Sequence, residues 1–180
     1  MKRYYVWFFV MILCFHAEAQ DIWVDRGSHI SFFSAAPLED IAAATEHASS
    51  ALHTKTNEIA FKVPIKSFVF NKRLMQEHFN ENYLESDKFP YATFGGKITE
   101  PIDWSSDGSY PVTVMGFLEI HGVKKPYAVK TTVEIKGTTV TAHAKFDVKL
   151  ADHDIKIPRV VIKNIAEVVA VDVSSTYQKQ

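Results

Sequence analysis

From Gln20 onward, apolar and polar residues alternate with a period of two over long runs, the pattern of strands that bury one face. Val112, Val114, Gly116, Leu118 and Ile120 share one side of such a run, and Thr113, Met115, Phe117, Glu119 and His121 share the other. Tyr127 to Ile135 and Val140 to Val148 repeat the pattern, as do Val169, Val171 and Val173. Earlier come Ile30 and Phe32, the alanine-rich stretch 41–52, and Ile59, Phe61, Val63 and Ile65. Gly122, Gly137 and the loop Asp103–Ser109 punctuate these runs. About eight strands result, the number at which a closed antiparallel barrel is just wide enough for its own side chains or one small ligand.

One segment departs from alternation. Between Lys72 and Leu84 the residues Met75, Phe79 and Tyr83 fall four apart, a stripe on one side of a helix. Asn71 stands where it would cap the first turn, with Phe70 and Met75 at the positions of a hydrophobic staple. Pro90 imposes an extended conformation on Phe89 and restarts the sheet. The prediction is one amphipathic helix between strands three and four, with its apolar edge on a barrel mouth. Gly95-Gly96, inside a strand, reads as a bulge or bend.

The N-terminus adds a compartment. Met1-Lys2-Arg3, an apolar run from Tyr4 to Phe15 and Ala17-Glu18-Ala19 have the layout of a secretory signal peptide. Residues 1–19 are therefore expected to be a leader cut between Ala19 and Gln20. Residues 20–180 would form one domain, periplasmic or secreted, with no stable membrane insertion once the leader is gone. The remaining chain carries 18 basic and 20 acidic side chains, with no basic excess to attract nucleic acid. Cys14, the sole cysteine, leaves with the leader, so the core alone must hold the domain.

Candidate chemistry is sparse. No histidine pair has a metal-binding helical spacing, and His121, His143 and His153 read as solvated surface groups. Asp103-x-Ser105-x-Asp107-Gly108 begins like a calcium loop, yet Val114 stands where its bidentate glutamate is required, so the segment reads as a hairpin loop. Glu46 and His47 are adjacent, and on a regular strand they point to opposite faces. No nucleophile elbow or glycine-rich phosphate loop occurs. The expectation is a non-enzymatic binding protein without cofactor or metal.

Two longer motifs carry a resemblance. Phe79-Asn80-Glu81-Asn82-Tyr83-Leu84-Glu85-Ser86-Asp87-Lys88-Phe89-Pro90-Tyr91-Ala92-Thr93-Phe94 resembles the central motif of the YceI-like family, in which a helix runs into a leucine-x-serine-aspartate and a phenylalanine-proline step. Gly116-Phe117-Leu118-Glu119-Ile120-His121-Gly122-Val123-Lys124-Lys125-Pro126 is similar to that family's strand ending in histidine-glycine, and Phe61–Phe68 fits the strand before the helix. The resemblance covers about residues 27–175. It implies an all-β, extended antiparallel eight-stranded lipocalin-like β-barrel in an exported protein, with a long isoprenoid or fatty chain inside. Gln76-Glu77 and Glu119 depart from the family pattern (arginine-aspartate and threonine), so headgroup contacts are not carried over.

On that reading the lipid-binding wall is Ile30, Phe32, Phe61, Val63, Ile65, Phe68, Phe94, Val114, Leu118, Val129, Val133 and Phe146, with Met75 and Phe79 closing one end. The partner is an apolar lipid, and a homodimer is left open. Two alternatives stand beside it. One is a solid barrel that binds through the exposed Met115/Phe117 face; the other is a small enzyme drawing on Glu46, Glu77 or His78.

Overall fold

The computed structural model describes residues 21–35, 40–157 and 166–179. The expected leader, its Ala19–Gln20 junction, Cys14 and His16 fall outside them. Nine strands form: β1 (Ile22–Ser34), β2 (Ile41–His53), β3 (Glu58–Pro64), β4 (Val69–Phe70), β5 (Tyr91–Ile98), β6 (Gly108–Ile120), β7 (Val123–Lys136), β8 (Thr139–Lys149) and β9 (Val168–Gln178). Eight of them close a barrel in which every pairing is antiparallel. The order β1-β2-β3-β5-β6-β7-β8-β9 returns to β1, which pairs with both β2 and β9. The two-residue β4 is an addition at the rim, bonded to Ala43 and Ala44 of β2.

Alternation places the inner face as predicted on most strands. Val112, Val114 and Leu118 on β6, Val129, Val133 and Ile135 on β7, and Val140, Ala142, Ala144 and Val148 on β8 are all buried. The exception is the β1–β2 seam. Register shifts between Asp25 and Ser28, and again before Ile30, mark a bulge. Thr45 and Ala48 are both buried, while Glu46 and His47 between them are both exposed. The bulge thus overturns the expectation that these two point to opposite faces: an extra residue breaks the two-residue period. Glu46 pairs with His29 across the seam at 2.6 Å.

Gly95 and Gly96 sit in unbroken register with Phe117 and Gly116, so the glycines mark no bulge. They allow close approach instead. A Cβ on Gly116 would lie 2.5 Å from the Gly95 carbonyl oxygen and 2.8 Å from Phe94 Cζ.

The helical segment also differs from the prediction. Its α-helix α1 covers only Arg73–His78, and a single π-helical turn, Phe79–Tyr83, continues it. Lys72 occupies the cap position, and Asn71 is exposed and does not cap. The amide of Phe70 donates instead to Gln76 Oε1. Met75, Phe79 and Tyr83 nevertheless all face the barrel. An i, i+4 stripe drifts around a 3.6-residue helix, and the wider π turn takes that drift back.

The interior divides in two. At the end away from α1, Trp23, Leu52, Ile98, Val112, Val133, Ile135, Val140 and Tyr177 pack into a cluster. Trp104 from the β5–β6 loop closes it, edge-on to Trp23 and donating to Asn57 Oδ1 at 3.1 Å. Along the seam, Ser28, Ser50 and Ser175 hydrogen-bond one another at 2.8 to 3.3 Å. The neighbouring Tyr177 hydroxyl has no hydrogen bond of good geometry to Ser50 or Ser175, and burial pushes its pKa up to about 12. The half nearer α1 is hollow.

Candidate functional site

The hollow is a cavity of about 540 Å³. It exists because several inward positions carry small side chains: Ala92 on β5, Thr131 on β7, and Ala142 and Ala144 on β8 all line it. Larger groups that surround it, among them Phe61, Phe94, Phe146 and Val171, are only partly buried, since they face empty space rather than one another. Polar lining is slight: Ser34, Lys72, His78, Tyr83, Thr93 and Thr131. Ser34 Oγ accepts from the Ala166 amide, and Thr131 Oγ1 donates to the Val129 carbonyl. Burial raises the Tyr83 phenol above its ordinary pKa, so it stays neutral at physiological pH.

Thirteen of the predicted wall positions line this cavity: Ile30, Phe32, Phe61, Val63, Ile65, Phe68, Met75, Phe79, Phe94, Val114, Leu118, Val129 and Phe146. Val133 does not. It shares the inner face but sits farther along β7, inside the packed cluster below. Phe70 is an addition; it lines the cavity beside Phe32, Phe68 and Phe79, four rings with centroids 4.9 to 5.8 Å apart. Val171 and Val173 line it too and were legible in the β9 alternation. Leu150 and Ile155 belong to the turn after β8, where no period exists to reveal them.

The two motifs of the resemblance meet outside the cavity, where they fasten the helix to the barrel. Glu85 ends the π turn at positive φ, and its carboxylate lies 2.7 Å from His121 Nε2. That hydrogen bond, then the charge of Lys88, holds the Glu85 carboxyl below the usual carboxylate range. Phe89 stands edge-on to the His121 ring at 4.6 Å and covers Gly122, where a Cβ would come within 2.6 Å of it. His121 and Gly122 both have positive φ, the hallmark of a type I′ hairpin. Lys66 pairs with Asp87 beside this clasp.

Two of the three histidines expected at the surface are not there. His153 is fully buried, with Nδ1 3.0 Å from the Val123 carbonyl and Nε2 3.1 Å from the Tyr127 hydroxyl. Burial first, and then Asp152, raises the Tyr127 pKa. His121 is largely enclosed by the clasp, and His143 is the exposed one, beside Asp172. The turn after β8 folds back over the β6–β7 hairpin, and no strand period could announce that.

Of the acid–base candidates, Glu77 and His78 are neighbours on α1 and Glu46 belongs to β2. Glu46 lies outside on the bulge, Glu77 pairs with Arg73 at 2.8 Å, and His78 alone borders the cavity. No cluster of metal-ligating side chains occurs among the described residues, and none of the described helices is long and apolar enough to cross a membrane. Met115 and Phe117 are half exposed on the outer wall.

A closed antiparallel barrel with an apolar hollow under a short helical cap defines the lipocalin-like class of binding folds. Residues 25–177 match the YceI-like domain, and the chain belongs to that family. Among solved structures, a polyisoprenoid binding domain from Saccharophagus degradans, implicated in plant cell wall breakdown, superposes with a TM-score of 0.74 at 16% identity, over 89% of this chain and 99% of that one. BcnA of Burkholderia cenocepacia gives a TM-score of 0.70 at 17% identity, over 83% and 95%. The YceI protein of Campylobacter jejuni gives 0.55 at 15% identity, over the whole of both chains. No curated protein matches the sequence.

Proposed function

We propose that this protein is an exported, non-catalytic carrier or store for a long-chain apolar lipid, an isoprenoid or a fatty chain, held inside the barrel. One observation carries the reading: half of the interior is a cavity of about 540 Å³ walled by apolar side chains. Ligand pockets run roughly from 300 to 1,000 Å³ with mostly apolar walls. Removing ~400 Å² of lipid tail from water at ~25 cal/mol/Å² is worth ~10 kcal/mol before association and ordering costs. No specific polar contact is needed at that magnitude, so selectivity follows the length and width of the hollow. The polyisoprenoid binding domain with the same fold supports the choice of ligand class. The hollow argues against a solid barrel, and of the three acid–base candidates only His78 lines it, while Glu46 pairs with His29 outside and Glu77 with Arg73.

Mass spectrometry of lipid extracted from protein purified from its host tests the reading. A stoichiometric long-chain hydrophobic molecule is expected; consistently empty protein would sink the carrier. Phe61→Asp, which sets a charge on the cavity wall, is expected to abolish uptake of a fluorescent fatty chain, whereas His143→Ala on the outside leaves uptake unchanged.

A further inference from the structure

We infer that the packed half of the barrel is a closed floor that limits the chain the hollow accepts to about twelve to eighteen carbons, three isoprene units or little more. The inference rests on the carrier reading above and narrows its ligand. Ile59, Val114 and Ala142 belong to the packed cluster and also line the cavity, so they mark the level where the hollow ends. Beneath them Leu52, Ile135, Val140 and Tyr177 are at most 1% exposed, and Trp104 closes the far end against Trp23. Phe94 completes the floor, packing on that cluster while lining the cavity. Its ring lies over Gly96 and Gly116, paired on β5 and β6, where Cβ atoms would come within 3.0 and 2.8 Å of it. Two facing glycines leave the room that this ring fills.

Depth and volume set the limit independently. The cavity-lined stretch of β6 runs from Val114 to Ile120 and that of β8 from Ala142 to Val148, six residue steps each. At about 3.3 Å per step and a barrel tilt of about 40°, these span about 15 Å along the axis. Carbon–carbon bonds of about 1.5 Å at near-tetrahedral angles advance an extended chain about 1.25 Å per carbon, so the hollow is about twelve carbons deep. Folding the chain back does not evade the limit, because a methylene takes about the room of a liquid water molecule, about 30 Å³. The hollow, at about 540 Å³, therefore holds about eighteen carbons in any conformation. A straight chain that just reaches the floor leaves part of that width empty and forfeits contacts there, whereas the methyl branches of an isoprenoid fill it. A chain of eight isoprene units would leave more than half of its length outside the mouth.

Displacement of a bound fluorescent fatty chain by isoprenoid alcohols tests the inference, in the series geraniol, farnesol, geranylgeraniol, geranylfarnesol and octaprenol. Affinity is expected to rise about fourfold per carbon from geraniol to farnesol, the gain from one buried methylene, and to change less than about tenfold from geranylgeraniol to octaprenol. Ala142→Leu adds about three carbons at the floor and should bring the plateau down to farnesol. Phe94→Ala empties the room of about six and should carry the rise on to geranylfarnesol. The two substitutions push the plateau in opposite directions, so either one that folds is decisive. A wild-type affinity that climbs at the same slope to octaprenol, or a plateau that neither variant moves, overturns the floor and leaves the carrier standing. Protein that takes up neither the fluorescent chain nor any of the alcohols would remove the carrier reading and this inference with it.

Discussion

His121, His143 and His153 share a residue type and little else. His153 is buried against a carbonyl and a phenol, so His153→Ala empties its site, leaves two half-buried polar groups without that partner and is expected to cost about 2 kcal/mol in urea unfolding. His143→Ala, at an exposed pair, should stay within about 0.5 kcal/mol. A similar contrast divides two glycines on neighbouring strands. Gly116→Ala drives a methyl into the Gly95 carbonyl and should destabilise by about 2 kcal/mol, as overpacking does. Gly95→Ala meets nothing within 4 Å and should be neutral or slightly stabilising through the unfolded chain. Asp103 supplies a pH signature. Hydrogen bonds from Ser105 and Ser106 lower its pKa from 3.8 to about 2. A depressed carboxyl stabilises the fold above its ordinary pKa and loses that contribution as pH falls through the folded value. The stability gap between wild type and Asp103→Asn should therefore close between pH 3.8 and about 2, followed by chemical unfolding across that range.

Among the elements, the α1–π segment was legible as a stripe of Met75, Phe79 and Tyr83 but not in its shape. Spacing by fours points to a helical face; whether the turn is 3.6 residues wide or wider is settled by what the face rests on. Here it rests on Phe32, Phe68 and Phe70, rings delivered by β1, the turn after β3, and β4. Phe79 touches all three. Phe79→Ala should loosen the cap and speed release of a bound fluorescent lipid more than tenfold, the kinetic equivalent of about 2 kcal/mol of lost apolar contact. The β1–β2 bulge escaped the sequence because Glu46-His47 are two polar residues in an alanine-rich run, where the apolar pattern is too weak to show a slipped register. Strands with strong alternation, β6 through β8, left no such freedom.

Across the whole molecule, the barrel is solid at one end and hollow at the other, and the two halves should answer mutation differently. Ile135→Ala, in the packed half, should cost about 3 kcal/mol of stability with lipid binding intact. Phe61→Asp, at the hollow, should lose the lipid, and with it the stabilisation that a bound ligand adds. Val133 shows where reading one face of a strand stops. Its inward direction follows from period two, but its distance along the barrel axis decides whether it meets packed neighbours or empty space. Alternation in the chain by itself determined about eight strands, which side chains share a face and that one helical stretch interrupts them, since these depend on neighbours one to four residues apart. Tertiary structure alone decided that the alanines of β8 leave a cavity, that His153 is buried, and that Glu85 meets His121. Each of those depends on residues far apart in the chain that only closure of the sheet brings together.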